Sequence, residues 1–486
     1  MFRRKYIFIF TLFFTLCLFT YKTSAYNIIK NNNSYISKYD NSSKTNEDDL
    51  IDLEGPIIKS VSPEKCQQYI IGEPLIIVNY SDKSNIDKSS VKLYVNYKDV
   101  TSSTTITDNN ISYTQDKKFR RGNQIAKLEV CDLSPNKNKT VFEWYFTVGT
   151  PIYNHYRGLL HAHTDASDGH GSYNDAYYMA RDKANLDFFA ITEHSNLLDN
   201  NSESTLDTTP KSEEWTNLTS TRDKFTSNGE FIGLNGFEMT YPYKTENPIG
   251  HLNIFNSNGF ITASEEYLDL DNFYKLISED EDLIGQFNHP CKKFGLFNNF
   301  KYSSSADKII SLLEVGNGYY KNMEENIHSY DIYQFALDKG WHVGPTCSQD
   351  NHIVNFGIAN EFRTVILATD LNRDNLYDAL KNMRVYATED KNIKIDYTIN
   401  DTYLGSTLKN PSKLRFSISA VDNDSKDKIQ EIQIISNNGE IIKSKKFNSN
   451  LAKLDFTIKP SSNKFYYVKV YQNKNKISVT APIWIK

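Results

Sequence analysis

Three textures of apolar and polar residues follow one another along the chain. From Gly55 to about Thr150, short alternating runs such as PLIIVNY, VKLYVNY, IAKLEV and FEWYFTV are separated by turns rich in Asp, Ser, Asn and Lys. Alternation with period two at strand-plus-turn spacing predicts a small Ig-like β-sandwich over 55–150. Residues 396–486 return to the same texture in KLRFSISAVD, IQEIQIISNNGE, AKLDFTI and FYYVKVYQ, with Asn438-Gly439 as a hairpin turn. They predict a second β-sandwich.

Between them, over 151–395, apolar runs alternate with stretches of helical period. GLLHAHT is followed by SYNDAYYMARDKAN, LDFFAITEH by EEWTNLTSTRDKF, and then come FIGLNGFEM, IGHLNIF, NFYKLISED, LIGQFNHP, IISLLEVGNG, YDIYQFALDK, WHVGPTCSQDNH and NRDNLYDALKNM. Strand and helix in alternation predict a parallel αβ barrel. A doubly wound open sheet is the runner-up, and no GxGxxG turn follows the first strand to favour it.

Arg3, Arg4 and Lys5 precede an apolar run over 7–20, and Thr23-Ser24-Ala25 supplies small residues, so 1–25 reads as a secretory signal. An uncleaved anchor is the alternative. Residues 26–54 are polar and asparagine-rich and read as a flexible linker. Export to the cell surface or medium is the expected localisation. The charge balance, 55 Lys+Arg against 60 Asp+Glu, gives no basic field for non-specific nucleic-acid binding. After the signal, Cys66, Cys131, Cys291 and Cys347 form no CxxC pattern. Cys66 and Cys131 fall in one predicted domain and are candidates to pair in an oxidising compartment. Cys291 and Cys347 read as buried small residues.

In barrels of this kind chemistry collects at the C-terminal strand ends. Reading each predicted strand end yields His161, His163 and Asp168, then His194, Glu238, His251, His289, and Asp350 with His352. Imidazoles and carboxylates on one concave surface suit two or three divalent cations, zinc, manganese or iron. His155, His170, His328 and His342 lie away from these ends and read as surface or packed residues.

The motifs HxHTxxSDG (161–169), TEH (192–194), GFE (236–238), GHLN (250–253), NHP (288–290), EVGNG (314–318) and QDNH (349–352) resemble, in order, those of the PHP (polymerase and histidinol phosphatase) metallohydrolases. The branch most resembled includes carbamate-ester hydrolases. The resemblance implies a distorted seven-stranded TIM-like barrel over 151–395, flanked by the two sandwiches. It implies that His161, His163, Glu238, His289 and Asp350 line one part of the metal site and His194, His251 and His352 the other, with Glu238 as bridge. Asp168 stands where many members carry a third histidine. Glu193 replaces the aspartate of TDH, which implies an orienting role behind the ligands.

The expected reaction is hydrolysis of a phosphoester, with cations lowering the pKa of the attacking water and Glu238, His194 and Asp350 as catalytic residues. Arg363 and the Lys292-Lys293 pair are candidate phosphate clamps, with solvated surface charge as the plainer alternative; Glu314 and Asn317 read as pocket-lining. The expected partner is a small phosphorylated compound, including a 3',5'-bisphosphonucleotide, or a short oligonucleotide; the sandwiches are candidates to contact a wall or surface polymer. Carbamate or carboxylester hydrolysis at the same metals, and a non-enzymatic binding protein with a degenerate barrel, are the alternatives. Oligomeric state is not legible.

Overall fold

Alternation in the first texture has a direct structural outcome in the computed structural model of the chain, which describes residues 52–486 apart from 116–117, 207–211, 243 and 264–268. The signal segment and nearly all of the 26–54 linker lie outside these residues. Over 57–148, two four-stranded sheets form, one built around Ile76–Ser81 and the other around Ile86–Val95 and Gly122–Asp132. Their inward residues, including Val78, Leu93, Ile111, Leu128, Trp144 and Phe146, make one apolar cluster. The buried Trp144 indole donates its N–H to the carbonyl of Pro63 at 3.0 Å, so its one polar atom is satisfied.

The central region supplies strands β1 (Asn154–Leu159), β2 (Phe188–His194), β3 (Ile232–Thr240), β4 (His251–Phe255), β5 (Ile284–Asn288), β6 (Ile310–Asn317), β7 (Gly344–Ser348), β8 (Arg363–Ala368) and β9 (Val385–Thr388). They do not make the expected parallel αβ barrel. They belong to a 16-stranded mixed sheet that runs from β6 through β5, β4, β3, β2, β1, β8 and β9 into strands Ile477–Thr480, Phe465–Gln472, Ile429–Ile435 and Ile441–Ser449. β1, β2 and β3 are parallel, but β4 is antiparallel to both β3 and β5. β8 is antiparallel to both β1 and β9. β7 pairs with β6, and among the described residues no ladder joins it to β8; Thr364 Oγ1 instead accepts the Cys347 N–H at 3.0 Å and donates to the Cys347 carbonyl at 2.8 Å.

The reason lies in the connections. A parallel crossover needs about a dozen residues or more and usually a helix. The described residues of 241–250 hold no helix, and β4 returns beside β3 in the opposite direction. Helices are few and short where they occur: Tyr173–Tyr178 starts on a Ser172–Asp175 capping box, and Glu213–Phe225 on the Ser212 hydroxyl.

The sheet also joins strands from both sides of the expected boundary at 395, since β9 pairs with Ile477–Thr480. One apolar cluster accordingly holds Val365, Ile366 and Leu376 together with Ile418, Ile432 and Val468. Residues 55–486 form one compact unit.

Candidate metal centre

The donors come from six short segments of the central region. Immediately after β1 the chain stays extended through 161–163, where Ala162 bridges Asn351 and the His163 N–H donates to the Asn351 carbonyl at 3.0 Å. Alternation puts the His161 and His163 rings on one side, their Nε2 atoms 3.1 Å apart. His194 and Glu238 are direct partners in the parallel β2–β3 ladder, which brings His194 Nδ1 to 2.6 Å from Glu238 Oε2. His251 begins β4 rather than ending a strand. Because β4 is antiparallel, its first residue lies beside Thr240 and Asn288, at the same end as the C-termini of β3 and β5.

His289 and Asp350 follow β5 and β7 with φ of 28° and 46°. Left-handed backbone at non-glycine residues costs of order 1 kcal/mol or more and gathers at functional sites. It turns both side chains inward: Asp350 Oδ1 lies 3.0 Å from His163 Nε2 and 3.3 Å from His161 Nε2, and His289 Nε2 lies 3.4 Å from Glu238 Oε1. His161 Nε2 and His251 Nδ1 each stand 3.3 Å from Glu238 Oε1. Asp168 Oδ1 is 3.2 Å from His352 Nε2 and 3.5 Å from His194 Nε2. All nine donors named from the strand ends thus stand in one cluster.

The electrostatics follow from burial and mutual contact. Burial opposes charge on Glu238, yet His194, His161 and His251 hold it well below the usual carboxylate range. Asp350 is held low in the same way against burial by His161, His163 and His289. Burial also opposes the charge of His161, which Asp350, Glu314 and Glu238 overcome, raising it well above its ordinary value. Burial, then the neighbouring His194, lowers His163 to about 3. At His352 the Asp168 hydrogen bond outweighs burial and raises the ring to about 9. Carboxylates interleaved with imidazoles give the mixed oxygen and nitrogen donor set that divalent cations take.

The donor set fits divalent metal. Ligand atoms about 2.1 Å from a tetrahedral cation are about 3.4 Å apart, close to most of the spacings around Glu238 and Asp350. The Nδ1 atoms of His163 and His289 are buried without a hydrogen-bond partner among the described residues. Within this cluster, groups able to hold an ion include His161/His163/Glu238, His161/His289/Asp350, Glu238/His251/His289 and His163/Asp168/His194/His352.

Several expectations for the surrounding residues are corrected. Arg363 is not a phosphate clamp: it is buried, with Nη1 donating to the carbonyls of Asn360 and Phe362 and Nη2 to that of Gly357, so it braces the 350–362 loop. Lys292 is exposed and does not line the adjoining cavity, whereas Lys293 does. Glu314 lies behind the donors: its carboxylate stands 3.3 Å from His161 Nδ1 and accepts the His289 N–H at 2.9 Å and the Asn317 amide at 2.8 Å. Asn317 does line the cavity. Glu193 accepts from the Thr164 N–H and hydroxyl and from the Ser167 hydroxyl, which fixes the turn after His163. Burial raises its carboxyl to about 7. Cys66 and Cys131 are both free thiols, and Cys66 Sγ donates to Asn375 Oδ1 at 3.3 Å.

The strand-end reading missed Asn288, whose amide donates to Glu238 Oε1 and to Asn253 Oδ1, each at 2.8 Å. Both asparagines belong to the motifs NHP and GHLN and were passed over for their histidines. It also missed the far side of the cavity, where Phe294, Tyr319 and Tyr320 face the site. Only the adjacent NGYY hinted at them.

No family description matches this sequence, and no curated protein is similar to it at a significant level. Solved structures with some likeness include CopC from Methylosinus trichosporium OB3b, 14% identical over 20% of this chain and 97% of that one, with a TM-score of 0.16. The cell-surface-expressed chitinase ChiW from Paenibacillus sp. FPU-7 is 10% identical over 93% of this chain and 52% of its own, with a TM-score of 0.19. The apo β-glucuronidase 3 from Bacteroides uniformis is 9% identical over 89% of this chain and 64% of its own, with a TM-score of 0.23. Likeness this slight carries no argument about fold or chemistry.

Proposed function

We propose that the protein is a metal-dependent hydrolase of phosphoesters. The observation that carries this reading is the spacing of donor atoms around Glu238 and Asp350: 3.0–3.8 Å between buried imidazole nitrogens and carboxylate oxygens, with His194 Nδ1 closer, 2.6 Å from Glu238 Oε2. A cluster of buried like and unlike charges is costly unless something compensates it. Zinc, manganese or iron is the compensating group this donor set suits, and when bound it supplies a Lewis acid for a phosphoryl oxygen and an acidified water.

The chain's own residues do the rest. His161, His163, Glu238, His251 and His289 would hold the buried part of the cluster, Asp168, His194 and His352 the part near solvent, and Asp350 stands between the two. Glu314 and Asn288 keep His161 and Glu238 in orientation through the hydrogen bonds described above. Among the described residues, Lys293 is the one lysine or arginine lining the cavity. That favours a substrate with a single phosphoryl group over a long polyanion. The motif order shared with the metallohydrolases named above supports the same chemistry, and we infer kinship in the site rather than in the sheet.

The test is metal analysis of the purified protein together with hydrolysis of p-nitrophenyl phosphate and bis-p-nitrophenyl phosphate. The His161→Ala, His163→Ala double variant is expected to lose most bound metal and at least a hundredfold in activity. Undiminished hydrolysis by that variant refutes the reading.

A further inference from the structure

Burial divides the donors unequally. The side chains of His161, His163 and Glu238 are 0% exposed, His289 2% and His251 4%. Asp168 is 49% exposed, His352 24%, Asp350 20% and His194 14%. The adjoining cavity, of about 740 Å³, is lined by Asp168, Asp350 and His352, and by none of the other donors.

The two groups also differ in what carries them. Glu238 and His251 lie in paired strands, and His289 directly follows one, so moving any of them breaks ladder bonds. Asp168 and His352 lie on loops outside the strands, tied to one another by the His170 N–H donating to the His352 carbonyl at 2.9 Å. Asp168 is placed by a close approach: Gly169 packs on the main chain of His163, where an added Cβ would lie 2.5 Å from the carbonyl oxygen.

We propose that Asp168, His194 and His352, with His163 behind them, form the exchangeable and substrate-facing position of the cluster, whereas Glu238, His251 and His289 retain their cation. The proposal rests on the metal-hydrolase reading. Release of a cation requires a competing ligand to arrive as protein donors swing away. Only the outer group joins a solvent path to two loop-borne donors, Asp168 and His352, while His194 closes β2 and Asp350 stands between the groups at the cavity wall. A phosphoryl oxygen entering through the cavity meets this group first, so it sets substrate affinity.

The experiment loads the full chain with Mn²⁺, removes excess by gel filtration, and follows protein-bound metal after addition of EDTA. Wild type is expected to release about one equivalent at least tenfold faster than the remainder, and p-nitrophenyl phosphatase activity is expected to fall with that fast phase. Asp168→Ala is expected to hold about one equivalent fewer, to lack the fast phase and to keep the slow one. Gly169→Ala, which retains every donor but forces the loop outward, is expected to speed the fast phase severalfold and leave the slow one unchanged. Release of all metal in a single phase by wild type, or loss of the slow equivalent in Asp168→Ala with the fast one intact, overturns the proposal. A wild-type chain that binds no metal overturns the hydrolase reading itself, a result distinct from either.

Discussion

At the scale of single residues, carboxylates that never touch a cation govern those that would. Glu314 is fully buried and serves His161, the His289 main chain and Asn317 at once. Glu314→Gln keeps the shape and removes the charge that fixes the His161 tautomer. It is expected to weaken metal binding by about 10–100-fold, read by competition with a chelator, with little change in thermal unfolding of the metal-free chain. This role was not legible in the sequence. A glutamate at a strand end looks alike whether it faces the cavity or the back of a histidine. Arg363 makes the same point, since an arginine near a phosphate site and an arginine bracing a loop through three carbonyls have identical one-dimensional surroundings.

At the scale of elements, the C-terminal strands are part of the support for the donors. Lys476, just before strand Ile477–Thr480, places its ammonium 2.7 Å from Asp390, 2.9 Å from Asp427 and 2.5 Å from Glu361, the last on the loop that carries Asp350 and His352. Asp390 and Asp427 are both buried. Lys476→Met leaves Asp390 without its ion-pair partner, while Asp427 keeps Lys474 at 3.2 Å, and is expected to destabilise the chain by about 3 kcal/mol in denaturant unfolding. Asp422, at the end of strand Leu414–Val421, behaves differently. Burial raises its carboxyl from 3.8 to about 6, even though Gln472 and the Asp424 N–H hydrogen-bond it. Its folded value lies above its unfolded one, so the folded chain keeps a proton the unfolded chain has lost, and stability falls as pH rises through that interval. Between pH 4 and pH 7, Asp422→Asn is expected to gain on the parent by roughly 2 kcal/mol, measured as the difference in unfolding free energy at the two pH values.

At the scale of the whole molecule, the apolar cluster shared by β8, β9 and the C-terminal strands makes the central and C-terminal regions one cooperative body. A chain ending at residue 400 uncovers Val365, Ile366 and Leu380, all fully buried in the whole protein. It is expected to aggregate or to lack a cooperative transition in calorimetry. The sequence split the chain at 395 because texture changes there, but a change of texture marks a change in the kind of element and says nothing about which sheet an element joins. The parallel barrel failed for a related reason. Strand direction depends on how each connection returns, and runs such as IGHLNIF carry no mark of direction.

By itself the sequence determined that His161 and His163 share one side, through period two, and marked the other donors as polar residues closing otherwise apolar runs, because a buried polar group must find a partner and is not placed there for packing. Tertiary structure alone decided the direction of β4, and hence that His251 enters the cluster from the start of its strand. It also decided the sheet's continuation into the C-terminal region and the division of the donors between a sealed side and an open one. Those depend on long-range pairing and on which surface another segment covers, quantities that local residue patterns do not encode.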